Sequence, residues 1–152
     1  MLPRAWRYIS TVMGIIFRHP IVGTTVIPVL PDGRIVLIQR SDSGKWGLPG
    51  GMVDWGEDVP TAVVRELKEE TGLDTIKIRR LVGVYSAPDR DPRIHSISVV
   101  VEVEADGTMK AEDKLEVLQV KSFKKEDLPL GNLSHDHDRQ LQDYFEGDTM
   151  LA

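Results

Sequence analysis

The sequence predicts one domain of the mixed α/β (α+β) class, in which helices cover the faces of a mixed β-sheet. Strand-like stretches outnumber helical ones, and one helical stretch lies in the middle of the chain. No linker, repeat or low-complexity tract divides the sequence. With 152 residues the chain has the usual size of one domain and is long enough to bury a substantial core.

The sequence predicts that the first 19 residues form an apolar helical segment of their own. Residues 5–17 are mostly apolar, Arg4 and Arg18 flank them, and Arg7 lies inside. The stretch is shorter than the roughly 20 residues of a membrane span, and it lacks a small-residue cleavage site. We therefore expect no stable membrane insertion, and a helix that packs on the domain or on a second subunit of a homodimer. Peripheral membrane contact and a targeting segment are the alternatives.

The next part of the chain predicts a β-hairpin followed by a glycine-rich loop. β-Branched residues favour strands at 21–30 and 34–40, and Pro-Asp-Gly at 31–33 is a turn signal. Residues 41–58 contain five glycines and predict a loop with at most one short strand near 47–48. Trp46 and Trp55 flank this region, and we expect them to pack or anchor the loop rather than to stack on a base.

A helix is predicted at residues 59–71 because its start and its end both carry capping signals. Asp58 suits the N-cap, Pro60 suits the first turn, and Gly72 suits a left-handed C-cap. Strands are predicted at 75–86, 95–105 and 115–123, and a short helix at 137–145. Residues 134–138, with His135 and His137, are interpreted as a surface loop and N-cap rather than a metal site.

Charge and composition exclude several classes of function. The chain has 19 basic and 24 acidic residues and a net charge of −5, so we expect no nucleic-acid partner. The absence of cysteine excludes disulfides and cysteine-bound metals, and it is compatible with the cytoplasmic location that we expect. An acidic protein that handles phosphates needs cations to do so.

The central helix carries such a cation-binding pattern. Glu66, Glu69 and Glu70 fall on one narrow face of the helix, beside the apolar Val63 and Leu67. Carboxylates about 6 Å apart repel each other by roughly 3 kcal/mol per pair at an effective dielectric constant of 20. Three carboxylates beside a cleft suit a hard divalent cation. The alternative is an ordinary solvated face, because glutamate is a strong helix former.

The residues around this face fit a longer pattern, Gly-x5-Glu-x7-Arg-Glu-U-x-Glu-Glu-x-Gly-U, where U is apolar. It matches without a gap from Gly51 to Leu73. This stretch resembles the signature of the Nudix hydrolases. The resemblance implies the Nudix-type α-β-α sandwich with a mixed sheet over residues 20–148, and it leaves residues 1–19 outside the Nudix hydrolase domain.

The resemblance also assigns roles to the matching residues. Glu57 and Arg65 are expected to clamp the loop to the helix and to belong to the catalytic set with the three glutamates. Glu66 and Glu70 are the expected primary ligands of Mg²⁺ (or Mn²⁺), and Glu69 assists directly or through water.

The loop before the helix supplies one further expected ligand. The Pro-Gly-Gly turn at 49–51 allows the backbone to bring a carbonyl close to the helix. The resemblance to the Nudix hydrolases adds the carbonyl of Gly50 to the expected metal ligands.

The implied reaction is the hydrolysis of a pyrophosphate bond in a nucleoside diphosphate linked to another group. The stretch at 85–93 resembles that of members acting on ADP-ribose, which is the first choice of substrate. Arg90 and Arg93 suit phosphate binding, and Tyr85 suits stacking on a base or ribose. The alternative is a loop in which Asp89 and Asp91 pair with the arginines and no ligand is bound.

Other functions stay open. An oxidised nucleotide such as 8-oxo-dGTP is the second choice of substrate, and dinucleotides or NADH follow. A third possibility is a Nudix-fold module that senses a nucleotide without hydrolysing it.

One position departs from the family pattern. Gln119 stands where many members carry a glutamate in the late strand. Glu112, Asp113 and Glu116 are the candidates for the missing carboxylate, so the catalytic base outside the helix is not assigned.

Overall fold

Residues 2–152, the part of the chain that the computed structural model describes, form three α-helices and one eight-stranded sheet. The elements in chain order are α1 Leu2–Phe17, β1 Ile21–Val29, β2 Ile35–Arg40, β3 Trp46–Gly47, β4 Gly50–Met52, α2 Val59–Thr71, β5 Asp74–Tyr85, β6 Ser96–Asp106, β7 Val117–Phe123, a 3₁₀ turn Lys125–Asp127, α3 His137–Glu146 and β8 Met150–Leu151. The predicted α+β class with a mixed sheet is confirmed. The sequence missed β4 and β8.

The sheet is mixed because β1 and β6 run parallel over nine residue pairs, whereas most other neighbours are antiparallel. The predicted hairpin of β1 and β2 pairs only at Val29 and Ile35. The two strands then diverge, and β2 pairs with β7 instead. On the side of β1 that β2 leaves, β4 pairs with residues 23–25. This arrangement places the Pro-Gly-Gly loop against the start of the central strand.

Two apolar cores lie on opposite faces of the sheet, because neighbouring residues of one strand point to opposite sides. The core beside α2 contains Val26, Val36, Val63, Leu67, Val101 and Val103. The core beside α3 contains Ile27, Leu37, Val82, Tyr85, Val100 and Leu141. The sheet therefore lies between α2 and α3.

The bounds of α2 are set by the caps that the sequence predicted. The Asp58 side chain accepts a hydrogen bond from the Thr61 N–H at 2.8 Å, and a proline lies in the first turn. Gly72 has a φ of 75° and donates its N–H to the Lys68 carbonyl at 2.8 Å. The predicted helix at 59–71 is confirmed, and with it the position of its glutamates.

The large apolar side chains of α1 whose burial the structure describes are exposed rather than packed on the rest of the chain. Trp6, Tyr8 and Ile15 are 71%, 72% and 65% exposed. The expectation that this helix packs on its own domain is therefore wrong, while packing on a second subunit stays a prediction. Met1, part of the predicted segment 1–19, lies outside the described residues. None of the helices in the described part combines the length and hydropathy that a membrane span requires.

Candidate active site

A cleft with a volume of about 360 Å³ opens beside the start of β1. Its walls come from β1, β4, the inner face of α2, the loop that precedes β6, and residues 135–137 before and at the start of α3. Pockets of this size commonly hold small ligands. The cleft contains Glu66 and both arginines of the loop that precedes β6.

Arg65 ties the loop before α2 to the helix. Its Nε and Nη2 atoms donate to the two carboxylate oxygens of Glu57, at 2.9 Å each. Nη2 also donates to the Met52 carbonyl at 3.1 Å, and the Asp54 N–H donates to Glu57 at 3.0 Å. The hydrogen bonds from Arg65 lower the pKa of Glu57 to about 2. The structure thus forms the predicted ion pair, and the catalytic role of the pair stays a prediction.

Glu66 points into the cleft and lies directly against the Gly-Gly turn. A Cβ atom on Gly51 would lie 2.3 Å from Oε1 of Glu66, so a larger residue at 51 would displace the carboxylate. The Arg65 Nη1 atom donates to the same oxygen at 2.7 Å. Burial raises the pKa of Glu66 above its ordinary value, and Arg65 opposes this rise.

Glu70 is the most deeply buried of the three glutamates, with 4% of its surface exposed. The Gly50 N–H donates to Glu70 Oε2 at 2.8 Å. Burial raises the pKa of Glu70 to about 8, partly offset by the Gly50 hydrogen bond. Gly50 approaches β1 so closely that a Cβ atom there would lie 2.2 Å from the Thr24 carbonyl oxygen. The structure thus joins Gly50 to Glu70 through the N–H, and the ligand role of the Gly50 carbonyl stays a prediction.

Glu69 differs from the other two glutamates because its side chain is 48% exposed. Of the three, only Glu66 lines the cleft. One carboxylate oxygen lies 3.5 Å from the Arg65 Nη1 atom. The backbone carbonyl of Glu69 accepts hydrogen bonds from the N–H groups of Glu112 and Asp113, at 2.9 and 3.1 Å. These bonds attach the loop before β7 to the end of α2.

The carboxylates beside the cleft suit a hard divalent cation, which prefers oxygen ligands. Arg65 donates a hydrogen bond to Oε1 of Glu66, and the Gly50 N–H donates one to Oε2 of Glu70. Within residues 2–152, no three His, Cys, Asp or Glu side chains converge as a ready metal site. Glu66 is instead held by Arg65, and Glu70 is held by the Gly50 N–H.

Glu116 is the one of the three candidate carboxylates that lines the cleft. Its charge helps to raise the pKa of both Glu66 and Glu70. The carboxylate of Asp113 instead accepts backbone N–H groups of its own turn, and Glu112 is exposed. Gln119 is exposed on β7, outside the cleft lining.

Arg90 lines the cleft but is held by protein groups. Its Nη1 atom lies 2.8 Å from Asp136 Oδ1, and Nη2 donates to Ser96 Oγ at 3.2 Å. The Nε atom is buried and has no hydrogen-bond partner in the described chain. Arg90 thus pairs with Asp136, and the predicted partner Asp89 is exposed.

Arg93 also lines the cleft and is 60% exposed. Its Nε and Nη2 atoms donate to the two oxygens of Asp91 at 3.0 and 2.9 Å. The guanidinium lowers the pKa of Asp91 to about 2. The predicted pairing with Asp91 is therefore confirmed, and the exposed position leaves Arg93 accessible from the cleft.

Tyr85 is not placed in the cleft. Its side chain is fully buried in the core beside α3, and its hydroxyl donates to Asp143 Oδ2 at 2.8 Å. This burial raises the pKa of Tyr85 above its ordinary value. The prediction that Tyr85 stacks on a base or ribose is corrected, because a buried ring cannot meet a ligand in the cleft.

Arg40, His135 and His137 are among the residues that line the cleft and that the sequence interpretation did not place there. Arg40 ends β2, carries no motif, and pairs with Asp42 at 2.9 Å. His137 is buried and its Nδ1 accepts the Leu48 N–H at 3.0 Å, so the predicted surface loop is wrong at this residue. Burial lowers the pKa of His137 to about 3, which keeps the ring neutral.

The two tryptophans of the glycine-rich region have different environments. Trp46 packs edge-on against Phe123 with ring centroids 5.3 Å apart, which confirms its predicted packing role. Trp55 is fully exposed, so the same prediction is wrong there.

Comparison with known proteins agrees with this geometry. A family model described as NUDIX domain matches residues 19–144. The chain belongs to the Nudix hydrolase family. An ADP-ribose pyrophosphatase from Methanocaldococcus jannaschii is 43% identical over 134 residues, which are 86% of this chain and 76% of that protein.

Solved Nudix structures have the same fold. The MutT NUDIX hydrolase from Burkholderia pseudomallei is 33% identical with a TM-score of 0.72, over 83% of this chain and 98% of that one. An ADP-ribose pyrophosphatase from Streptococcus suis is 27% identical with a TM-score of 0.68, over 88% of this chain and 100% of that one. The expected Nudix-type sandwich is therefore confirmed. The Nudix helix is α2, and the Nudix loop runs from β4 to Asp58.

Proposed function

We propose that this Nudix hydrolase cleaves the pyrophosphate bond of ADP-ribose or a related ADP-linked compound, with Mg²⁺ or Mn²⁺ as cofactor. The observation that carries the proposal is the complete Nudix helix beside the cleft: Glu66 lines the cleft, Glu70 is buried one helical turn further along α2 and accepts the Gly50 N–H, and Arg65 pairs with Glu57. The likeness to an ADP-ribose pyrophosphatase over most of both chains supports the choice of substrate.

The metal would be held by Glu66 and Glu70, with help from Glu69, Glu116 and the Gly50 carbonyl. When bound, it would supply charge neutralisation of the diphosphate and a lower pKa for bound water. The carboxyl oxygens around the cleft fit it, because hard divalent cations prefer such ligands. A bound cation would also offset the electrostatic repulsion between this acidic protein and an anionic substrate.

The other residues of the Nudix helix position these ligands. The Nη1 atom of Arg65 donates a 2.7 Å hydrogen bond to Glu66, while its Nε and Nη2 atoms donate to Glu57. Gly50 holds Glu70 by its N–H, and the glycine at 51 leaves room for the Glu66 carboxylate. Small displacements of such groups cost large factors in rate.

Arg93 is the proposed phosphate-binding residue. Its guanidinium is exposed at the cleft and forms a two-point contact with a carboxylate, a geometry that phosphate oxygens also fit. Arg90 is mostly buried between Asp136 and Ser96, and we assign it to the wall of the substrate site.

The proposal is tested by turnover on a substrate panel with Mg²⁺: ADP-ribose, 8-oxo-dGTP, NADH and diadenosine polyphosphates. We expect the highest kcat/KM for ADP-ribose, with AMP and ribose 5-phosphate as products. A preference for 8-oxo-dGTP would move the protein to the nucleotide-pool sanitising class. Tight binding of ADP-ribose without turnover of any compound would identify a sensing module.

A pair of variants tests the phosphate site within the same assay. Arg93→Ala should raise KM for ADP-ribose by about tenfold, because a charged hydrogen bond is lost. Arg34→Ala removes a surface arginine that pairs with Asp32 on the β1–β2 turn, and it should leave KM unchanged. Equal KM values for the two variants would remove Arg93 from the site.

A further inference from the structure

The first helix has one wide apolar face and one polar face, and both are exposed. Trp6, Ile9, Met13 and Ile16 follow each other at helical spacing and are 71%, 54%, 49% and 53% exposed. Tyr8 widens this face on one side. At 100° per residue the apolar arc spans about 160° of the helix.

The opposite face of α1 is polar and carries no acid. It presents Arg7, Ser10 and Thr11, and both hydroxyls donate to the Arg7 carbonyl, at 3.0 and 2.7 Å. These two hydroxyls are satisfied within the helix, so the polar face needs no protein partner for them.

Charge is segregated between this segment and the rest of the chain. Residues 1–19 contain three of the 19 basic residues, Arg4, Arg7 and Arg18, and none of the 24 acidic ones. The net charge of −5 therefore divides into +3 for residues 1–19 and −8 for residues 20–152. A basic patch on an acidic protein selects an anionic surface as its partner.

We propose that α1 is an interfacial helix that lies flat on an anionic lipid bilayer. Its apolar face enters the boundary between headgroups and acyl chains, and Arg7 meets lipid phosphates. This combination of a wide apolar face and a cationic polar face is the pattern of helices that lie in the membrane plane. The helix is 16 residues long, about 24 Å, and on the membrane it lies in the plane rather than across.

The shape of the apolar face favours lipid over a second copy of this chain. Two packed helices share a narrow seam, because each buries only the residues that face the other. A seam of that kind would leave Trp6 or Tyr8 in water at the sides of the arc. A bilayer covers the whole arc and also accepts the amphipathic rings of tryptophan and tyrosine at its interface.

The test is sedimentation of the full chain with lipid vesicles. One set contains equal parts of phosphatidylglycerol and phosphatidylcholine, and the other contains phosphatidylcholine alone. Ile9→Asp and Arg7→Glu should each weaken binding to the anionic vesicles by about tenfold. Ile76→Asp and Lys77→Glu, which make the same kinds of change at exposed positions of β5, should bind as the wild type does.

We expect the wild type to bind anionic vesicles, to bind phosphatidylcholine vesicles at least tenfold more weakly, and to lose binding as salt rises. Equal binding to both vesicle types, or no binding to either, would overturn the proposal. If sedimentation velocity instead shows a dimer that Ile9→Asp dissociates, and vesicles are not bound, the second copy is the occupant. Turnover of ADP-ribose in solution should be the same in all four variants, so this test is separate from that of the proposed function.

Discussion

The carboxylate of Glu66 packs directly against Gly51, and a Cβ atom added to this glycine would lie 2.3 Å from Oε1 and 2.7 Å from Oε2. The position of the carboxylate therefore depends on the absence of a side chain in the neighbouring loop. We predict that Gly51→Ala displaces Glu66 and lowers kcat by about 10²-fold, because small misplacements of reacting groups have effects of this size.

The control for Gly51→Ala is Gly14→Ala, which adds a methyl group where no atom lies within 4 Å. It should leave kcat unchanged. Wild-type turnover in Gly51→Ala would show that Glu66 is not part of the reacting site.

The Arg65–Glu57 pair gives a second prediction. Lysine cannot reproduce two parallel hydrogen bonds, so Arg65→Lys should lower kcat by about 10²-fold. Glu57→Gln should give a similar loss, and the double variant should lose little more, because both changes break one contact. Arg34→Lys alters a surface pair and should have no effect on kcat. Additive losses for Arg65 and Glu57 would contradict the clamp.

The raised pKa of Glu70 predicts how stability depends on pH once metal is removed by a chelator. Burial holds the pKa of Glu70 at about 8 in the folded protein, against 4.5 ordinarily. Between these values the unfolded chain releases a proton that the folded protein keeps, so the folded state loses stability as pH rises from 4.5 to 8. The loss is on the order of 5 kcal/mol at most.

Glu70→Gln has no such proton, so its stability should not fall in this way. The unfolding free energy of the variant should therefore rise relative to that of the wild type as pH increases over the same range. Urea unfolding at several pH values measures it. A difference that stays constant from pH 4.5 to 8 would show that Glu70 is ionised in the folded protein throughout.

Tyr85 provides a prediction that separates a structural from a binding role. Tyr85→Phe leaves the buried Asp143 without its hydroxyl donor, and it should lower the unfolding free energy by about 1–3 kcal/mol. KM for ADP-ribose should not change. Tyr8→Phe, at an exposed position, should alter neither quantity. A large rise of KM in Tyr85→Phe would return this residue to the substrate site.

The parts of the fold that local signals determine could be predicted from the sequence. The bounds of α2 follow from Asp58 and Gly72, and the Nudix pattern places the glutamates on the helix. The environment of Tyr85 could not be predicted, because β5 contains bulges, one of them between Leu81 and Gly83, that shift which side chains face the core.

Contacts between distant parts of the chain could not be predicted from the sequence either. His137 accepts a hydrogen bond from Leu48, 89 residues away, and nothing in the surrounding residues signals that contact. The exposure of Trp55 and α1 has the same origin: apolar residues predict burial, but only the assembled fold shows whether a surface is there to cover them.

Glu70 is the proposed metal ligand that is buried and held by the Gly50 N–H. The most direct measurement is the release of AMP from ADP-ribose in the presence of Mg²⁺, by the wild type and by Glu70→Gln. We expect AMP from the wild type, and a rate at least 10²-fold lower from a folded Glu70→Gln protein. Undiminished AMP release by Glu70→Gln would contradict the assignment of the metal-binding helix.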